Sequence, residues 1–146
     1  MRNEGWESRL NDVIDAARGK PYQLGVHDCF RVACQTIQAL TGVDRWPEFE
    51  GRYTDYRSAL ALLAQHGSSF EDAFDWFFGA PRISVKLARR GDICAFEQAG
   101  YKHLGVNLGR RTSFLAPQGL LFVAGPAHQS RQPVAPAQWH YRRTES

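Results

Sequence analysis

A change in hydrophobic period near residue 82 is the strongest constraint on what this chain can fold into. Before it, apolar residues recur at helical spacing; after it, they alternate. Trp6, Leu10, Val13, Ile14 and Ala17 form one face of a helix that Gly19 and Pro21 bring to an end. A second helix is predicted from Cys29 to about Leu40, with Asp28 as its N-cap and Gly42 closing it. A third carries Tyr56, Ala59, Leu60 and Leu63, with Thr54 as cap and Gly67 as stop. A short fourth begins with Ser68 and Glu71 in capping-box spacing and stacks Phe70, Phe74, Phe77 and Phe78 on one side. That aromatic stripe reads as core rather than as a ligand box.

The second half has a period of two. Ile83, Val85 and Leu87 alternate with polar neighbours, and Asp92 to Phe96, Tyr101 to Leu108, Ser113 to Ala116 and Leu120 to Ala124 read as successive strands. Short turns join them at Arg89-Arg90-Gly91, Gln98-Ala99-Gly100, Gly109-Arg110-Arg111 and Pro117-Gln118-Gly119. Residues 125–138 hold Pro126, Pro133 and Pro136 and read as a loop, after which Trp139 to Arg142 returns as an edge strand. Helices followed by an antiparallel meander define an α+β fold, and with no internal linker residues 1–146 make one domain.

Composition excludes several classes of function. No stretch approaches the ~18 uninterrupted apolar residues of a membrane span, and the opening Met1-Arg-Asn-Glu-Gly-Trp lacks the apolar core of a signal peptide. Cys29, Cys34 and Cys94 are too few for a disulfide framework. No CxxC pair, HExxH, P-loop or GxGxxG occurs, so neither a metal nor a nucleotide cofactor is expected. Residues 1–80 hold 8 Lys/Arg against 12 Asp/Glu, and residues 81–146 hold 10 against 3. The basic residues of the second half fall mostly in pairs at turns, without interleaved aromatics, so a face for acidic partners is expected and nucleic acid is not.

The chemistry centres on Gly19-Lys-Pro-Tyr-Gln-Leu-Gly-Val-His-Asp-Cys29. It puts a cysteine on the first turn of a helix, where unpaired amides and the helix dipole favour a thiolate. Position alone fits a small buried cysteine equally well. A nucleophile needs a base, and the histidines can be sorted. His27 is two residues from Cys29 and diverges from it; His66 ends a helix; His128 and His140 have no local tie to Cys29. In Tyr101-Lys-His-Leu-Gly-Val-Asn-Leu-Gly109, His103 shares a strand face with Gly105 and Asn107, polar and open to close approach.

The opening block with Asp28-Cys29 resembles the first motif of NlpC/P60 cysteine peptidases, a papain-like family of cell-wall hydrolases. Arg90-Gly-Asp-Ile-Cys-Ala-Phe96 is similar to that family's Gly-Asp strand, and His103-Leu-Gly-Val-Asn-Leu-Gly109 to its histidine strand. The three blocks occur in family order, and the compact form resembles small members encoded among bacteriophage tail genes. The resemblance implies a papain-like layout, with Cys29 as nucleophile and His103 as base. Tyr22 lines the site, and Tyr22 and Asp28 are the candidate substrate contacts. It also implies peptidoglycan stem peptides as substrate, a virion-tail location, and tail-tip or baseplate hub proteins as partners. Two departures stand out. Phe30 replaces a frequent serine, and the residue that should orient the histidine falls on apolar Leu115 or Ala116, leaving Gln118 as the nearest amide. A catalytically weak or inactive tail-tip protein on the same fold is the alternative expectation.

Overall fold

Asp28 and Gly42 set the limits of the helix around which the fold is organised. Asp28 Oδ1 accepts from the Arg31 amide at 2.9 Å, and Gly42 adopts a left-handed φ of 81° that brings its N–H to the Gln38 carbonyl. The computed structural model describes residues 2–78, 88–98, 101–124 and 140–142. In chain order the helices are α1 (Trp6–Gly19), α2 (Cys29–Thr41), α3 (Tyr56–Ala64) and α4 (Phe70–Phe78), with a 3-10 turn at Trp46–Glu48 between α2 and α3. The strands are β1 (Ile93–Gln98), β2 (Tyr101–Asn107), β3 (Arg111–Ala116), β4 (Gly119–Ala124) and β5 (His140–Arg142). They form an antiparallel sheet in the order β4-β3-β2-β1-β5, so the architecture is α+β.

Helix α2 is buried because two of its sides are covered. Ala33, Cys34 and Ile37 pack on Ile93, Ala95 and Leu104 of the sheet. Val32, Ala39 and Leu40 cluster with Leu10, Ile14 and Ala17 of α1 and with Val106 and Leu115. Register explains the sheet's contribution: Ile93 pairs with Val106 and Ala95 with Leu104, placing all four side chains on the helix side. Cys94, opposite Gly105, goes to the other side. An aromatic cluster fixes the start of α2 from below. The Phe30 ring meets Phe49 edge-on at 4.9 Å and Phe77 at 5.1 Å, and Phe74 and Phe77 are buried core residues.

A buried corner ties the N-terminus to β1. The Arg2 guanidinium donates to Asp92 Oδ1 at 2.8 Å and to the Arg90 carbonyl at 2.6 Å, while Asp92 Oδ2 accepts from the Arg89 amide. Gly91 makes the turn possible: its φ is 90°, and a Cβ there would lie 2.7 Å from Leu40 Cδ2.

Two helix caps differ by one residue from the sequence expectation. Asp55, not Thr54, caps α3, because Asp55 Oδ1 accepts from the Ser58 amide at 2.7 Å and Ser58 Oγ accepts from the Asp55 amide in return. At α4 the Asp72 amide donates to Ser69 Oγ, and Ser68 instead donates its hydroxyl to the Asp72 carboxylate. The alternating segment at 83–87 and the proline-rich loop at 125–138 lie outside the described residues. The expected terminal edge strand is present as β5, paired with β1.

Candidate active site

The turn before α2 builds the site. Gly25 has a φ of 86° and lies so close to the next segment that a Cβ would sit 2.4 Å from the Tyr53 carbonyl oxygen. This tight path brings the Gly25 amide to Asp28 Oδ2 at 2.8 Å, and the Tyr53 hydroxyl donates to the same oxygen at 2.6 Å. Asp28 is 1% exposed and both its oxygens are taken by the protein's own donors. Asp28, expected as a substrate contact, also lines the cavity beside Cys29. Its carboxylate is used to cap α2, hold the preceding turn and anchor Tyr53, because a buried charge must find its donors inside the fold.

Cys29 follows as the first residue of α2, half-buried, while Cys34 and Cys94 are fully buried. The pairing of β2 with β3 runs from Asn107–Thr112 to Gly105–Phe114. Just beyond it, the Leu104 amide donates to Cys29 Sγ at 3.5 Å. The sulfur therefore lies against the peptide that joins His103 to Leu104. Alternation sends Leu104 into the core under α2 and His103 to the opposite side of β2, where its ring lies 5.6 Å from that of Phe114. Just past the end of the β2–β3 pairing, Cys29 and His103 line the same cavity.

That cavity encloses about 540 Å³. All five residues singled out from sequence line it: Tyr22, Asp28, Cys29, His103 and Gln118. Gln118 sits exposed on the β3–β4 turn, at the rim. Of the other histidines, His27 and His66 do not line the cavity. His27 is buried, its Nε2 has no hydrogen-bond partner, and its pKa is lowered chiefly by burial. His66 stacks on Trp76 at 3.6 Å. His128 lies outside the described residues, and only the backbone of His140 is described, paired with Ala95.

Electrostatics here oppose the expectation of a ready thiolate. Burial pushes the Cys29 thiol up to about 12, and the neighbouring Asp28 carboxylate pushes the same way. The amides of Leu104, Cys29 and Phe30 favour the thiolate but are outweighed. The local amides are set by the helix start alone, whereas desolvation and the effect of the capping carboxylate arise once the chain is folded. Tyr22 is likewise raised to about 12, first by burial and then by the charges of Cys29 and Asp28, so its hydroxyl remains a donor at neutral pH.

Sequence reasoning missed three parts of the site. Tyr53 braces Asp28 from 25 positions away, with no motif to announce it. The Leu104 N–H, just past the last β2–β3 pair, is a backbone donor that no side-chain motif marks. Helix α3 supplies Ala59, Leu60, Leu62 and Leu63 as cavity wall, although the sequence marks only its helical periodicity.

The fold and site define an α+β domain with a cysteine at a helix N-terminus, its sulfur seated against the backbone of a histidine-bearing strand. The chain belongs to the DUF6950 family, described as a domain of unknown function, whose family model matches residues 1–130 and so includes every residue of the site. No curated protein matches it. Among the described residues no helix is long and apolar enough to cross a membrane, and no group of three or more His, Cys, Asp or Glu side chains could hold a metal ion.

Proposed function

We propose that this chain is a cysteine-dependent amide hydrolase on an NlpC/P60-like, papain-like fold, with Cys29 as nucleophile and His103 as general base. The observation that carries the proposal is the seating of Cys29 Sγ against the His103–Leu104 peptide, in a cavity both side chains line. Because the thiol is protonated at neutral pH, attack is coupled to proton transfer. The Cys29 proton passes to His103 as sulfur adds to the amide carbon. The carbonyl oxygen becomes an oxyanion, which the Cys29 amide is placed to stabilise as a first-turn N–H without an intrahelical partner. Collapse breaks the C–N bond, and the amine leaves with the proton held by His103. Water then gives a proton to His103 and adds to the thioester; the C–S bond breaks, the acid departs and the thiol is restored.

The resemblance supplies the setting: a stem-peptide amide of peptidoglycan, typically γ-linked D-glutamyl, cut by a protein carried on a virion tail beside tail-tip or baseplate hub proteins. Arg18, Arg90, Arg110 and Arg111 border a groove between α1 and the β2–β3 turn. That basic face suits an acidic hub protein, and its attraction weakens with added salt.

A catalytically silent tail-tip protein is the second reading. The raised Cys29 thiol favours it, as do the apolar Leu115 and Ala116 where an orienting polar residue would stand. Digestion of purified peptidoglycan, followed by mass spectrometry of the muropeptides, separates the two. New free amines from the native chain and none from Cys29→Ala support the hydrolase. Identical muropeptides from both, together with no labelling of Cys29 by a thiol-directed activity probe, overturn it.

A further inference from the structure

The cavity beside Cys29 is unevenly furnished. Hydrogen-bond donors gather at the sulfur, where the amides of Leu104, Cys29 and Phe30 converge. Away from it the wall is apolar: Leu60 and Leu63 from α3, Phe74 from α4, and Phe114, Leu115 and Leu121 from the sheet. Helix α3 adds a second, independent observation. It is rich in leucine and alanine, yet none of its residues is buried, and Leu60 is 39% exposed. A helix of that composition normally covers its apolar face against core. Here Ala59 and Leu62 lean on the core, and Leu60 and Leu63 border the cavity.

A ligand that matches this distribution has an acceptor oxygen at one end and aliphatic length behind it. We infer that the site takes an acyl group with a medium-length aliphatic chain, its carbonyl at the Cys29 amides and its tail along α3. The inference rests on Cys29 being the nucleophile proposed above, and it gives the acyl side of the scissile bond an apolar tail where a γ-D-glutamyl group would present a carboxylate. The volume, about 540 Å³, lies within the range of pockets that enclose a small organic ligand. The bond changes are those already given: the acyl carbon joins sulfur, the leaving group takes the proton from His103, and water releases the fatty acid.

Two measurements test this separately from the hydrolase proposal. The first is kcat/KM of the native chain on p-nitrophenyl esters from acetate to decanoate. Burial of each added methylene should raise it about two- to fourfold until the cavity is full. The second is calorimetric titration of sodium decanoate into Cys29→Ala, which should bind although it cannot turn over. Leu63→Glu, at a half-buried wall position, should flatten the chain-length series and weaken decanoate binding at least tenfold. Hydrolysis of the esters without chain-length dependence, and no decanoate binding, would overturn the acyl site and leave the cysteine hydrolase standing. Decanoate binding that Leu63→Glu abolishes, with no ester hydrolysed, overturns the acyl-enzyme site, and the muropeptide digestion decides the hydrolase separately. Absence of both hydrolysis and binding likewise overturns the inference.

Discussion

The Tyr53 hydroxyl donates to Asp28 Oδ2 at 2.6 Å, inside a region where Asp28 is 1% and Tyr53 6% exposed. This bond makes the cap of α2 a tertiary feature and not merely a local one, since it ties the helix start to the segment leading into α3. Tyr53→Phe keeps the ring and removes the donor, leaving a buried carboxylate oxygen with the Gly25 amide as its remaining partner among those described. The expected cost is about 1–3 kcal/mol of unfolding free energy, read as a lower urea midpoint at unchanged slope. An unaltered midpoint would mean that Asp28 is held adequately without Tyr53.

Two glycines with similar backbone angles allow the close approach at this turn to be measured. Gly25 has a φ of 86° and Gly51 one of 75°, but only at Gly25 would a Cβ meet backbone, 2.4 Å from the Tyr53 oxygen. Gly51→Ala should cost about 1 kcal/mol, the ordinary penalty for a left-handed alanine. Gly25→Ala should cost clearly more and should also raise the accessibility of Cys29 to alkylation, because the Asp28 cap moves with the turn. Equal losses at the two positions would count against the packing described for Gly25.

Burial of Cys29 gives the protein a predictable response to alkali. An unfolded thiol ionises near 8.5, whereas the folded one is pushed up to about 12. The folded state keeps a proton that the unfolded chain has lost. Stability from this group is therefore complete below about 8.5 and falls as pH rises from there toward about 12. Cys34 and Tyr22, both raised to about 12, act in the same direction. Urea midpoints between pH ~7.5 and ~10.5 should decline, less steeply for Cys29→Ser than for the native chain. Iodoacetamide labelling of native Cys29 should still be accelerating at pH ~10.5, where an unfolded thiol has reached its plateau.

The Gly-Asp block has a structural task that the resemblance alone does not specify. Asp92 has a fully buried side chain, and Arg2 beside it is 9% exposed at the side chain. Arg2→Ala should cost about 3–5 kcal/mol, since it leaves the Asp92 carboxylate buried with its ion-pair partner gone. Arg2→Lys should recover part of this, keeping the charge but losing the paired contact with the Arg90 carbonyl. Thermal unfolding of the three chains checks the order native, Lys, Ala.

How far the site was legible depended on how local its causes are. Asp28, Gly42 and the periodicity between them are neighbours in the chain, so α2 was readable to within a residue. Thr54 and Ser68 missed the true caps by one position because each precedes another capping residue, and only backbone geometry chooses between them. Phe74 and Phe77 were recognisable as core from their spacing. The thiol's ionisation, the Tyr53 brace and the void beside α3 were not legible. Each depends on desolvation or on contacts between segments tens of residues apart, and no pattern within one helix or strand encodes them.

The sharpest prediction concerns Cys29 and His103 as a pair. They are 74 positions apart, and the fold brings them to one cavity through the helix start and the end of the β2–β3 pairing. If sulfur is activated by proton transfer to His103, neither group has much value without the other. A thiol raised to about 12 is almost wholly protonated at neutral pH, so losing its base leaves little nucleophile. Cys29→Ala and His103→Ala should each lower kcat by about 10³-fold or more, and the double variant should be little worse than either. Gln118→Ala, at the exposed rim, should lose tenfold at most. The pH profile adds a separate readout: His103→Ala should retain only a weak rate that climbs with alkali as thiolate forms unaided. Additive losses in the double variant, with circular dichroism showing native folds throughout, would dissolve the pair as a catalytic unit.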